Sequence, residues 1–283
     1  MASDQSNNQS VERAASVLNA FLAGRPELRV SDVAKATGLG TSTASRLLAT
    51  LESLDFVERD PISGLYRLGT APITLGGVAL NQHPVHREAR QIAQDLAAVL
   101  GLGANVAVRR GDTMFYLLNF EGRNAPRSFV LTGQRKPLHA TGIGKCLLLA
   151  LDPAERRAMI PRPTGFTPYT ITEHERLDEE LAVAAHRGYA TEIEELALSR
   201  ACVAAPIRDA SGTIVAAISI SGPLSVIDLP ARQDELARVV IESADSISVG
   251  LGYVGPVGPH GSLGSSVPPQ AQGPAAPVGQ GRG

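Results

Sequence analysis

The stretch from Val30 to Gly69, VSDVAKATGLGTSTASRLLATLESLDFVERDPISGLYRLG, constrains this chain more than any other part of it. Val33, Ala34 and Thr37 mark one short apolar face at helical spacing, and Ala44, Leu47, Leu48, Leu51 and Leu54 mark a longer one. Gly38-Leu39-Gly40 separates them. A helix-turn-helix needs such a break, because the chain must reverse sharply while Leu39 stays packed between the helices. Ser31 and Thr41 stand where N-caps are expected. Phe56 to Arg59, a Pro-Ile-Ser-Gly turn and Leu65 to Leu68 then read as a small hairpin, a wing.

The outer face of the second helix carries Ser42, Thr43, Ser45, Arg46 and Thr50, with Thr41 at its start. Short hydroxyls bond to phosphates or base edges, and Arg donates two hydrogen bonds to guanine. That face suits a DNA major groove. The competing reading is an amphipathic helical hairpin with a solvated Ser/Thr surface. Charge does not settle it, since residues 1–70 hold seven Lys or Arg against eight Asp or Glu. A DNA footprint here has to be local. Lys35, Arg46 and Arg67 are its candidate cations, expected to cluster while Glu12, Glu27, Glu52 and Asp55 face elsewhere.

Several strings together resemble the IclR family of transcriptional regulators. They are Val11-Glu12-Arg13-Ala14 with Val17-Leu18, the TGLGTSTASRLLATLE run and YRLG after the wing, which resemble its DNA-binding domain. LHATGIGK (138–145), RGYATEIEE (187–195) and APIRDASGTIVAAISISGP (205–223) resemble its effector-binding domain. The resemblance spans about Ser10 to Gly252. At Gly40-Thr41 the chain departs from the Pro and basic residue with which many members start the recognition helix, which leaves more of the DNA contact to Arg46.

A length of 283 residues suits about two domains, and 43% hydrophobic residues supply two cores. The expected organisation is a disordered N-terminus (1–10), a winged helix-turn-helix domain (11–69), a linker helix (70–84), an effector domain (85–252) and a disordered tail (253–283). From Val254 onward there are eight Gly, six Pro and no acidic residue, a composition with too little apolar surface to fold. In the family the linker helix joins the domains and takes part in the dimer contact.

In the second domain the pattern predicts a helix from Val85 to Leu100, then strands over Asn105–Arg109, Thr113–Phe120 and Ser128–Leu131. Helices follow near Gly144–Leu151, Pro153–Met159 and Glu173–His186. Strands over Tyr189–Glu194, Cys202–Ile207 and Ile214–Ser221 and a helix from Ala231 to Val249 complete it. Such grouping, without strict strand-helix alternation, argues for an α+β fold with an antiparallel sheet. The resemblance implies the same, as a GAF-like or profilin-like domain.

The polar start of the chain and the absence of any run of ~18 apolar residues predict a soluble, cytoplasmic protein without a membrane partner. Cys146 and Cys202 read as free buried thiols. Net charge is −2, which argues against a general nucleic-acid coat protein and leaves room for a local basic surface.

Enzyme readings fit poorly. GIGKC (142–146) lacks the Gly at the position of His139 and the Ser or Thr at that of Cys146 that a phosphate loop requires. No G-x-S-x-G elbow occurs. A Cys202–His139 pair is set against an inert thiol in an apolar strand. His83-Pro-Val-His86 stands without a cluster of further ligands. No catalytic residue, metal or cofactor is therefore expected, the rival being a metabolite-binding enzyme whose N-terminal domain serves assembly alone.

By resemblance, Gly142, Ile143, Glu192, Cys202, Ser219 and Ser221 map onto the family's effector pocket. Gly142 and Ile143 precede a helix, so their amides suit an anionic or carbonyl group. Ser219 and Ser221 alternate along a strand and share a face. The mapped set has no Lys or Arg, so amides, hydroxyls and one carboxylate are expected to hold an organic acid or a hydroxylated or aromatic metabolite. Glu192 stands where Asp is often found. The resemblance thus implies a homodimer or tetramer binding double-stranded operator DNA under control of a small-molecule effector.

Overall fold

The computed structural model of the chain describes residues 2–22, 24–123 and 131–255, with side chains from residue 9 onward. Three helices open it: α1 (Ala2–Ala20), α2 (Val30–Thr37) and α3 (Thr41–Ser53). Their apolar faces meet in one core of Val17, Phe21, Val33, Ala34, Ala44, Leu48 and Leu51, with Leu39 packed against it from the turn. Gly38 caps α2 at φ 70°, in the left-handed region that only glycine enters cheaply. A two-stranded antiparallel wing, β1 (Val57–Arg59) and β2 (Tyr66–Leu68), closes the unit, and Leu28 pairs with Tyr66 beside it. At the wing's turn the Asp60 carboxylate accepts from the amides of Ile62 and Ser63, at 3.0 and 2.6 Å.

Three local expectations shift. Helix α1 begins at Ala2, ahead of Val11, because the polar run from Ser3 to Ser10 holds no Gly or Pro to stop it. The cap of α2 is Arg29, whose amide donates to the Asp32 carboxylate at 2.9 Å, so Ser31 lies inside the helix. The cap of α3 is Gly40, which places Thr41 at the first helical position.

A helix α4 (Ala71–Gln82) and a helix α5 (Pro84–Leu100) follow, broken at His83. Pro84 dictates the break: its ring clashes with the carbonyl four residues back and forces the preceding residue into extended backbone, here ψ 116° at His83. No residue of α4 is buried, whereas α5 buries Val85, Ala89, Ala93, Leu96 and Ala97.

The sheet beyond is antiparallel throughout. Its strands are β3 (Gly103–Arg110), β4 (Thr113–Phe120), β5 (Arg135–Pro137), β6 (Ala190–Ile193), β7 (Arg200–Arg208) and β8 (Ile214–Pro223), in the order β5-β4-β3-β8-β7-β6. The remaining helices are α6 (Gly142–Leu148), α7 (Pro153–Met159), α8 (His174–Arg187), α9 (Leu224–Ile227) and α10 (Leu229–Gly250). Strand alternation gives the sheet two different faces. On one, Val106, Val203, Ala205, Ile218 and Ile220 pack against α5 and α10. On the other, Ala107, Met114, Ala190, Ala204 and Ala217 pack with Ile143, Leu147, Leu177 and Leu181 of α6 and α8.

The expected strand over Ser128–Leu131 falls mostly outside the described residues, and Leu131 itself is in no strand. The strand pairing with β4 is instead Arg135-Lys136-Pro137, whose charges and proline belong on an edge. Helix α6 starts at Gly142, two residues earlier than expected, because the Thr141 hydroxyl caps it by accepting from the Gly144 amide at 3.0 Å. The Gly- and Pro-rich stretch past residue 255 also lies outside the described residues. Among the described residues no helix is long and apolar enough to cross a membrane.

Candidate functional site

Helix α3 presents Thr41, Ser42, Ser45 and Arg46 to solvent, while Thr43 is half-buried. The Thr50 hydroxyl donates back to the Arg46 carbonyl at 3.1 Å and is spent within the helix. No side chain caps α3, so its first amides remain available to a phosphate or base edge. Lys35, on α2, is exposed, and among the described residues neither it nor Arg46 joins an ion pair.

Arg67 behaves differently. The wing register sets it opposite Glu58, to which it donates, and it lies 3.9 Å from Glu27. The expectation that Glu27 faces away from the cationic set fails, because Leu28 pairs with Tyr66 and carries Glu27 to the wing. The partners are all about half exposed, so water and salt screen these pairs and a phosphate can displace them.

The second candidate is a cavity of about 210 Å³ on the α6 side of the sheet. Helix α6 covers the alanine half of that face and leaves the rest open. Register supplies the floor. Glu192 pairs with Cys202 and Cys202 with Ser221, while Ser219 pairs with Asn105 and Asn105 with Asn119. Asn119 Nδ2 donates to Asn105 Oδ1 at 2.8 Å, and Asn105 Nδ2 donates to Ser221 Oγ at 3.1 Å. Gly142 and Ile143 of α6 form one wall, and Met114, Tyr116, Leu131 and Leu196 supply apolar surface. All six residues mapped from the sequence line this one cavity.

Close packing favours glycine at 142. A β-carbon there would sit 2.8 Å from Cys202 Sγ and 3.3 Å from Ala204 Cβ. Removing that side chain lets the start of α6 approach the floor of the cavity.

Glu192 is buried. Its Oε1 accepts from the amides of Glu195 and Leu196, at 2.7 and 3.2 Å, and its Oε2 accepts from Cys202 Sγ at 3.7 Å. Burial raises its pKa above the usual carboxylate range, against the lowering by those two amides and by the Lys145 charge. Beneath the turn, the fully buried Lys145 donates to Thr191 O at 3.1 Å and pairs with Glu195, with Glu180 at 3.8 Å. Burial also holds the Tyr116 phenol above its ordinary value.

The thiols are inert by environment. Burial and the Glu192 charge push the Cys202 thiol well up, and burial raises Cys146 to about 12. His139 does not reach Cys202: its Nε2 is 2.9 Å from the Thr164 carbonyl, and its ring faces Phe166 in a separate cavity. Among the described residues no three His, Cys, Asp or Glu side chains gather as a metal site.

Sequence reasoning missed Asn105, Met114, Tyr116, Lys136 and Arg200, which also line the cavity. Lys136 and Arg200 add to the cavity lining two cations that the mapped set lacks. Their signal was positional. Arg200 precedes Cys202 by two on β7 and so shares its face, and Lys136 pairs with Met114 on an edge strand that the apolar pattern does not reveal.

Residues 10–61 match the IclR helix-turn-helix domain, and residues 77–249 match the bacterial transcriptional regulator IclR C-terminal domain. The chain is 32% identical to the HTH-type transcriptional regulator XynR of Escherichia coli K12 over 247 residues, covering 87% of this chain and 98% of that protein. Over 253 residues it is 34% identical to the HTH-type transcriptional repressor AllR of the same strain, covering 88% of this chain and 92% of that protein. Among solved structures, an IclR regulator from Alicyclobacillus acidocaldarius superposes with a TM-score of 0.76 at 28% identity, covering 86% and 99% of the two chains. An IclR homologue from Microbacterium hydrocarbonoxydans, crystallised with 4-hydroxybenzoate, superposes with a TM-score of 0.74 at 25% identity, covering 86% and 98%. A helix-turn-helix with an uncapped, hydroxyl-rich second helix and a separate antiparallel α+β domain thus agree with matches along nearly the whole described chain: the protein belongs to the IclR family of bacterial transcriptional regulators.

Proposed function

We propose that this regulator acts in the cytoplasm as a switch whose operator affinity is set by a small metabolite held in the cavity over β3, β7 and β8. The observation that carries this reading is that the six residues mapped from the sequence come together in one cavity within a chain that also presents an uncapped, hydroxyl-rich helix in a helix-turn-helix. Thr41, Ser42, Thr43, Ser45 and Arg46 of α3 read base edges and phosphates, and Lys35 and Arg67 supply flanking phosphate contacts. Gly142, Ile143, Glu192, Cys202, Ser219 and Ser221 hold the ligand. The ligand of the Microbacterium relative, a one-ring hydroxy acid, belongs to the size class that about 210 Å³ suits.

The protein assembles as a homodimer or as a tetramer of two such dimers. Leu75 and Val78 of α4, three residues apart on one side of the helix, are exposed and apolar, a surface that a second copy would cover. Two winged domains then read half-sites about 34–36 Å apart if one helical turn separates them. A ligand shifts the operator equilibrium only by binding the two arrangements unequally.

The test is binding of the purified protein to its own upstream intergenic DNA against unrelated DNA at matched salt. Tight, salt-sensitive binding confined to the first fragment is expected, weakened at least tenfold by Arg46→Ala. Unchanged affinity in that variant would remove α3 from the recognition role.

A further inference from the structure

A second cavity, of about 370 Å³, lies beside the edge strand β5 and the end of α7, apart from the one over β3, β7 and β8. Cations dominate it. Arg135, Lys136 and Arg162 line it directly, and Arg109 reaches the lining residue Met159, whose sulfur is 3.9 Å from Arg109 Nη1. Asp112 is the one carboxylate in the lining.

The imbalance is local. On the neighbouring helices Arg156 pairs with Asp178 at 2.8 Å, Arg157 with Asp178 at 2.9 Å and Arg187 with Glu180 at 3.5 Å. Among the described residues none of Arg109, Arg135, Lys136 and Arg162 joins an ion pair, and Lys136 and Arg162 make no side-chain hydrogen bond. Arg109 and Lys136 are half-buried, and the thioether that Arg109 meets is a weak acceptor. Cations drawn partly out of water without an oxygen to bond are costly until an anion completes them. Arg135 is held in advance: its Nη1 donates to Arg110 O at 3.2 Å and Thr113 Oγ1 at 3.1 Å, and its guanidinium lies over the Phe115 ring.

Four positive charges against one negative favour a multiply charged anion over a single carboxylate. A phosphate monoester carries roughly −1.5 to −2 at pH 7 and three acceptor oxygens, which suits donors converging from β3, β5 and the segment after α7. The floor of the cavity is built as well. His139 is only 3% exposed, and Phe166 lies against its ring with centroids 5.9 Å apart. Its Nε2 donates to the Thr164 carbonyl at 2.9 Å, so the neutral ring keeps Nδ1 as an acceptor. Phe166, Ile160 and Pro161 add apolar surface for a small organic body.

We propose that this cavity is a second ligand site of the regulator and takes a small phosphate monoester, with Arg109, Arg135, Lys136 and Arg162 on the phosphate group and Phe166 and Ile160 against its body. Lys136 lines both cavities, so the discriminating variants are Arg109→Met and Arg162→Met here and Arg200→Met in the other. Each removes a cation without breaking an ion pair, and all three are expected to fold.

The experiment titrates the full chain by calorimetry at pH 7.5 and fixed ionic strength with phenyl phosphate and with phenol. Phenyl phosphate is expected to bind saturably, roughly tenfold to a hundredfold tighter than phenol, the range for hydrogen bonds to a charged group, and to be displaced by inorganic phosphate. Arg109→Met and Arg162→Met are each expected to weaken it at least tenfold, and Arg200→Met to leave it unchanged. Phenol binding as tightly as phenyl phosphate, no saturable binding at millimolar concentration, or affinity intact in both Arg109→Met and Arg162→Met would each overturn the proposal. Loss in Arg200→Met alone would place the phosphate in the other cavity and overturn it too. The same holds if Arg162→Met lowers the salt dependence of binding to the upstream DNA, because the cations would then be a contact to the DNA backbone.

Discussion

The approach of Gly142 to Cys202 makes one methyl group decisive. Gly142→Ala would bring a β-carbon to 2.8 Å from Cys202 Sγ, and overpacking of this kind costs about 1–3 kcal/mol. Thermal melts should show Gly142→Ala destabilised by that amount and largely rescued by Cys202→Ala in the same chain. An unrescued loss would assign the cost to α6 itself. Glu192 offers the second residue-scale test. Burial raises its folded pKa above the ordinary 4.5, so the ionised form is penalised in the fold. Its contribution to stability is full below pH 4.5 and is lost as pH rises through the folded value. Glu192→Gln keeps an oxygen for the amides of Glu195 and Leu196 and removes the charge. The variant should therefore melt at or above the wild-type temperature at pH 7, with the difference closing as pH falls toward 4.5. A lower melting temperature at pH 7 would show that the charge-assisted bonds outweigh desolvation. The location of these side chains was legible: Ser219 and Ser221 alternate along one strand, and Cys202 sits in another. Their energetics were not, because no local pattern shows the turn at 193–196 folding over Glu192 and donating two amides to it.

Elements were legible where periodicity was long and punctuation strong. The α5 pattern is bounded by Pro84 and Gly101, and the turn at Gly38 can be read from glycine alone. The edge strand β5 was not legible, since Arg135-Lys136-Pro137 satisfies no strand propensity and pairs only because β4 offers it an edge. That gap hid Lys136 and with it half of the cavity's positive charge. Helix α4 was legible as a helix from its spacing, and its part in a dimer contact is an expectation from the family resemblance alone. Ile73, Leu75 and Val78 are all more than half exposed. If α4 carries the dimer contact, Leu75→Glu should shift the sedimentation coefficient toward the monomer and weaken operator binding by at least tenfold, while the monomer's circular dichroism stays unchanged. A dimer that persists in Leu75→Glu would move the contact to another face.

Across the whole molecule, buried histidines set the acid side of the stability profile. His83 and His86 stand at the α4–α5 break, and His139 lies against Phe166 in the cavity beside β5 and the end of α7. Burial is the main cause holding all three pKa values below the ordinary 6.5; the Arg110 charge adds to it at His83 and the Arg90 charge at His86, while the Thr164 carbonyl works against it at His139. The buried Nδ1 atoms of His83 and His86 have no hydrogen-bond partner among the described residues, so a proton added at either creates a donor without an acceptor. For a base with a lowered folded pKa, stability is full above 6.5 and is lost as pH falls from there through the folded value, because the unfolded chain takes up protons first. The raised carboxylates of Glu192 and Glu195 act in the opposite sense from the acid end. Melting temperature should therefore hold steady from pH 8 to about 6.5 and fall as pH drops below 6.5. His86→Leu, which removes the more deeply buried imidazole at the break, should make that fall shallower without lowering stability at pH 8. Equal slopes for the two proteins would clear His86. The descent would then have to come from His83 or His139, and His139→Leu would tell those apart, because it changes the cavity beside Thr164 and Phe166 and leaves the helix break untouched.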